Sequence, residues 1–155
     1  MNGSSALTGV RQTLDREGLH ACLRFLNSRT PHRFTGIYRY DGDILRNVAL
    51  YDRSDPAATR GEDVAMTDAY CAIVGATQCP LEFVDARTDG RFAHKTGSPV
   101  VSYCGALIRD EAGQAFGTLC HFDVRACQAS GTELTLLEAA APFLLAHIRA
   151  EASGA

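Results

Sequence analysis

The segment Tyr103–Asp123 constrains this chain more than any other. Two apolar, β-prone runs flank Asp110–Gly113, a turn-forming tetrad with glycine placed where a hairpin needs a positive φ. Gly105, Ala106 and Gly117 interrupt both runs. Glycine inside a strand weakens it and marks close approach of a ligand or another backbone. The hairpin is therefore expected to form one wall of a packed pocket.

The rest of the chain supplies partners for that hairpin. Residues 4 to 29 read as helical: Leu19, Cys22, Leu23 and Leu26 recur at the spacing of one apolar stripe, and Gly18 breaks them from an earlier turn carrying Leu7, Val10 and Leu14. Thr30-Pro31 stops the helix, because a residue before proline avoids the α region. Phe34–Tyr40 and Ile44–Tyr51 read as strands around an Asp41-Gly42-Asp43 turn. Residues 52 to 64 read as a loop, and Thr67 as the N-cap of a helix running to Thr77. Leu81–Val84 is a short strand leading into a polar segment with a turn at Asp89-Gly90. Ser130 and Glu133 fit a capping box that opens a last helix, with Pro142 expected to kink it. This order predicts an α+β fold: an antiparallel five- to six-stranded sheet with N- and C-terminal helices on one face. The other face needs a cover, for which segments 52–80 and 85–99 are available, and a cavity beneath them is the natural ligand site.

A length of 155 residues fits one domain with a single substantial core. The net charge of −3, with Lys95 as the single lysine and arginines scattered, argues against nucleic acid. No apolar run reaches the ~20 residues of a membrane span, and no signal peptide is visible, so a cytoplasmic protein is expected. None of Cys22, Cys71, Cys79, Cys104, Cys120 and Cys127 forms a C-x-x-C pair, so ordinary reduced cysteines are expected in place of a zinc site. His20, His32, His94, His121 and His147 lack metal-ligand spacing and read as surface or loop histidines, with His94 beside Lys95 a weak anion site.

Several motifs taken in order resemble a GAF domain over about residues 6 to 150. They are Tyr70-Cys71 on a helix, Pro80-Leu81-x-Phe83-Val84-Asp85-Ala86-Arg87-x-Asp89-x-Arg91-Phe92, Tyr103-x-Gly105-Ala106-Leu107, Asp110-x-x-Gly113, and Gly117-Thr118-Leu119-Cys120-x-Phe122-Asp123. The resemblance implies a GAF/PAS-like sheet, a small-molecule pocket in front of it, and a homodimer through the terminal helices. A single domain over 1–155 is expected, and because the chain stops soon after the last helix, no attached output domain is expected, a departure from the family. A bacterial sensory or regulatory role is implied, with a separate signalling protein as partner.

Ligand-binding candidates are Tyr70, Cys71, Asp85, Asp89, Arg91, Phe92, Tyr103 and Cys104. Arg91 can grip an anion, Asp85 and Asp89 can accept from ligand donors or organise their own loop, and the aromatic residues can wall the pocket or simply fill the core. A second branch on this fold, the free methionine-R-sulfoxide reductases, uses cysteines to reduce a bound sulfoxide. Cys71 falls where that branch has a cysteine, and Phe34-Thr35-Gly36-Ile37-Tyr38 is similar to its first strand. However, residues 85–101 contain no counterpart of its reactive cysteine, Tyr103 replaces its strand-start glutamate, and its tryptophan is missing. Cys104 and Cys120 lie on facing strands, opposite or one register apart. Cys120-His121 superficially resembles a bilin-attachment pair, but on a strand in place of a pocket helix. The expectation is therefore a ligand-binding sensor without catalytic activity, cofactor or metal; a thiol reductase is the alternative, and a dimerisation module with a filled pocket the third reading.

Overall fold

Gly18, at φ 93°, divides the N-terminal helical segment into α1 (Gly3–Glu17) and α2 (Leu19–Asn27), a conformation that glycine adopts without strain. The structure is a computed structural model and describes residues 3–92 and 97–154. Beyond α2 come β1 (Phe34–Asp41), β2 (Ile44–Asp52), β3 (Val64–Ala65), α3 (Cys71–Thr77) and β4 (Leu81–Phe83). The chain closes with β5 (Ser102–Arg109), β6 (Ala115–Asp123) and α4 (Glu133–Gly154), which runs through Pro142. The strands form one six-stranded sheet in the order β3-β2-β1-β6-β5-β4, antiparallel throughout. The α+β architecture read from the sequence is the one observed. Among the described residues, no helix is long and apolar enough to cross a membrane.

The β5–β6 hairpin behaves as its turn chemistry requires. Gly113 sits at φ 81°, and the Asp110 carboxylate accepts the backbone N–H of Ala112 and of Gln114, both at 2.9 Å. Its small residues admit the protein's own groups: a Cβ at Gly117 would collide with the Tyr38 carbonyl, and one at Gly105 with the Tyr103 ring.

Alternation gives the sheet two different faces. Toward the helices point Ile37, Cys104, Ala106, Ile108 and Leu119, which meet Leu23 and Leu26 of α2 and Leu137 and Leu144 of α4 in one buried aliphatic core. Toward the other side point Tyr38, Tyr103 and Cys120, which pack with Tyr70, Cys71, Val74, Phe83 and Phe92 in a second, aromatic-rich cluster.

A buried polar chain crosses the helix side. Asn27 Nδ2 donates to Thr35 Oγ1 (2.9 Å), Thr35 Oγ1 meets His121 Nδ1 (2.7 Å), and His121 Nε2 meets Glu133 Oε1 (3.1 Å). One proton order satisfies all three: the threonine hydroxyl donates to Nδ1, and the Nε2–H donates to Glu133. His32 stacks on His121 with ring centroids 5.9 Å apart, and Arg29 pairs with Glu133 at 3.4 Å. Arg53 donates to the carbonyls of Asn27 and Thr30, both at 2.7 Å, absorbing acceptors left open where α2 ends.

Four sequence expectations change here. Thr67 does not cap a helix running to Thr77: it lies within a 3₁₀ turn at Met66–Asp68, and α3 starts at Cys71. The loop 52–64 ends in β3, a two-residue edge strand too short for period-2 alternation to register. Glu133 does not reach back to cap α4; its side chain is fully buried and receives His121. His32 and His121, read as surface or loop residues, are buried beneath α2 and α4.

Candidate functional site

The site forms where α3 lies across the front of β5 and β6. The Tyr40 hydroxyl donates to the Cys71 carbonyl at 2.6 Å, pinning the first turn of α3 to β1. That fixes the Cys71 side chain against the sheet, where it is buried. Thr118 Oγ1 donates to Cys71 Sγ at 3.0 Å, and the Tyr103 hydroxyl lies 3.1 Å from the same sulfur. The Cys120 thiol is a third hydrogen-bonding neighbour of Cys71, and it also lies within reach of the Gly36 carbonyl at 3.8 Å. Tyr103 reaches this position because Gly105, two residues along the same face, leaves its ring room to lie down on the strand.

This geometry separates two thiols that share one environment. Burial raises the Cys71 pKa, but the hydrogen bonds of Cys120, Thr118 and Tyr103 favour its thiolate and together outweigh burial, so the thiol sits below its ordinary value. Cys120 moves the other way. Burial pushes it well up, and its hydrogen bond and charge interaction with Cys71 push it further. Tyr103 is likewise raised well above the usual phenol value, first by burial and then by Cys71, so it stays a donor. The pair thus consists of one thiol disposed to ionise and one held protonated beside it.

In front of the two thiols lies a cavity of about 290 Å³. Tyr38, Leu45, Leu50, Tyr103 and Phe122 form its apolar walls, Tyr70 and Cys71 its α3 side, and Gly61–Val64 and Ser98–Val100 its cover. The charged side chains among its described lining residues are Glu62 and Asp68. Both cover segments expected from the sequence contribute.

Of the eight candidate residues, Tyr70, Cys71 and Tyr103 line this cavity. Phe92 packs behind it, with its ring 5.2 Å from Tyr70 and 4.5 Å from Phe83. Arg91 is exposed and holds Asp89 through Nε (3.0 Å) and Nη2 (2.8 Å); Arg87 holds Asp85 the same way, at 2.9 Å through both nitrogens. These are closed local pairs that organise the loop, and the structure places them away from the cavity. Cys104 faces the helix core, where burial pushes its thiol up, so it stands across the sheet from the candidate site. Its register with Cys120 is settled: Cys104 pairs with His121, and Gly105 with Cys120. The anion site suggested at His94 and Lys95 lies outside the described residues. Thr118 and the partnership of Cys71 with Cys120 were missed in the sequence.

No protein-family model and no curated protein matches this chain. Solved structures sharing its fold include the GAF domain of an Acinetobacter phosphoenolpyruvate-protein phosphotransferase, with TM-score 0.74 and 14% identity over 99% of each chain. A free methionine-R-sulfoxide reductase from Neisseria meningitidis, in complex with its substrate, has TM-score 0.72 and 15% identity over 99% of this chain and 92% of that one. A type II free methionine-R-sulfoxide reductase from Thermoplasma acidophilum has TM-score 0.64 and 13% identity over 93% and 95%. The chain is a domain of the GAF-like fold, which GAF domains and free methionine-R-sulfoxide reductases share. The expectation of a domain without catalytic activity is corrected. It rested on the lack of a cysteine between residues 85 and 101, whereas the hydrogen bonds around Cys71 on α3 favour its ionised form, on a fold that also houses reductases.

Proposed function

We propose that this domain is a thiol-dependent reductase of a small sulfoxide, with Cys71 as attacking and Cys120 as resolving residue. The observation that carries the reading is the convergence of Thr118, Tyr103 and Cys120 on the Cys71 sulfur at the cavity wall. The reductases of like fold named above lend it support through the sulfoxide group on which they act.

The chemistry balances on these groups. The Cys71 thiolate attacks the sulfoxide sulfur, and the Tyr103 hydroxyl hydrogen-bonds the oxygen as it gains charge. Oxygen transfer releases the thioether and leaves a sulfenic acid on Cys71. That product no longer carries the thiolate charge that helped hold Cys120 protonated, so Cys120 ionises more readily once it is needed. Its sulfur attacks the sulfenic sulfur, water leaves, and a Cys71–Cys120 disulfide forms. One sulfoxide and two thiols become one thioether, one disulfide and one water. An external dithiol then restores the pair.

Mass spectrometry of the reduced protein tests this after incubation with methionine-R-sulfoxide or with an uncharged aryl methyl sulfoxide. Wild type is expected to lose two hydrogens as a Cys71–Cys120 disulfide. Cys71→Ser is expected to remain unchanged, and Cys120→Ser to stop at a sulfenic acid that dimedone traps. Wild type that stays reduced with both sulfoxides contradicts the proposal.

A further inference from the structure

We infer that the cavity selects neutral or cationic thioethers and sulfoxides and discriminates against those bearing a carboxylate. This substrate class rests on the reductase reading for its chemistry, but its physical basis is separate. A ligand carboxylate held in an apolar cavity needs a cation or several N–H donors to replace its water. No side chain among the described lining residues is cationic: most are aromatic or aliphatic, and the charges at the cavity edge are the carboxylates of Glu62 and Asp68.

Three of the described arginines of the cover and the adjoining strand edge are engaged by carboxylates, and no described arginine lines the cavity. Arg91 is held by Asp89, Arg87 by Asp85, and Arg46 by Asp41 and Asp63 at 2.8 and 3.1 Å. Asp68, in contrast, is built into the cavity rim. Gly97 leaves the space its carboxylate occupies, and a Cβ there would collide with it. A negative group at this rim repels an anionic ligand and attracts a cationic one across a medium less screening than water. The volume of about 290 Å³ stands at the lower end of small-molecule sites, which suits a compact aryl or alkyl compound.

The test uses thioethers, which thiols do not reduce, so it is independent of turnover. Isothermal titration of the reduced protein compares an aryl methyl thioether with its ring-carboxylate and ring-trimethylammonium derivatives. The neutral and cationic probes are expected to bind at least about tenfold more tightly than the carboxylate. In the double variant Glu62→Gln, Asp68→Asn, the gap between cationic and carboxylate probes is expected to narrow, while the neutral probe keeps its affinity. A carboxylate probe that binds as well as the neutral one, or no binding by any of the three, overturns the inference. Failure of the reductase reading shows separately, as absent turnover of the corresponding sulfoxides despite binding in the expected order.

Discussion

The two faces of this sheet are built from the same strands and do opposite work. The helix face is aliphatic, and its polar groups are tied into a chain from Asn27 through Thr35 and His121 to Glu133. The other face is aromatic, carries two thiols, and is covered by α3 and irregular chain over a cavity. Rigid packing on one side lets the other hold its thiols and hydroxyls in fixed positions without filling the space in front of them. The helix-side core and the thiol-bearing cavity face are thus separated by residue parity along β5 and β6: Cys104 belongs to the first, and Tyr103 and Cys120 to the second.

Truncation across the sheet breaks or confirms this division most sharply. Leu144→Ala, at a fully buried helix-side position, is expected to cost about 2–5 kcal/mol in denaturant unfolding. Tyr103→Phe removes one hydroxyl on the cavity side and is expected to cost only about 1 kcal/mol. Equal losses contradict the division.

Acid is expected to act through the helix face. Burial, then the neighbouring His121, lowers the His32 pKa to about 4, so the folded state holds it neutral. The unfolded chain binds its proton near pH 6.5, so the stabilisation is complete above that value and is lost as pH falls from about 6.5 to 4. The full span corresponds to about 3 kcal/mol. His121, also lowered by burial but pulled up by Glu133, acts in the same direction. A His32→Asn variant should flatten the dependence of unfolding free energy on pH in that window; an unchanged slope removes His32 from the account.

The fold was legible because its signals are local: turn glycines, strand alternation and the apolar stripe of α2. What escaped has non-local causes. Continuing the register of Arg109 opposite Ala115 sets Cys104 against Cys120, but Phe116 is an extra residue in β6 and shifts the pairing by one. That single bulge sends the two cysteines to opposite faces. The thiol pair depends on where α3 lands, which no sequence spacing encodes, so Cys71 was singled out without its partner. Alternation along Thr118, Cys120 and Phe122 was the available signal that these three share a face. The polar residues Asp85, Asp89 and Arg91 drew notice as a binding knot, yet each aspartate is satisfied by an arginine two residues away. His121 and Glu133 gave no sign of burial because each becomes tolerable there only through the other.

The most direct test is the pH dependence of Cys71 alkylation by iodoacetamide, followed residue by residue with mass spectrometry. The account predicts a midpoint for Cys71 below the ordinary thiol value of 9.0, and a higher midpoint once Thr118→Val or Tyr103→Phe removes a donor. A Cys71 midpoint at or above 9.0, unmoved by either substitution, would contradict it.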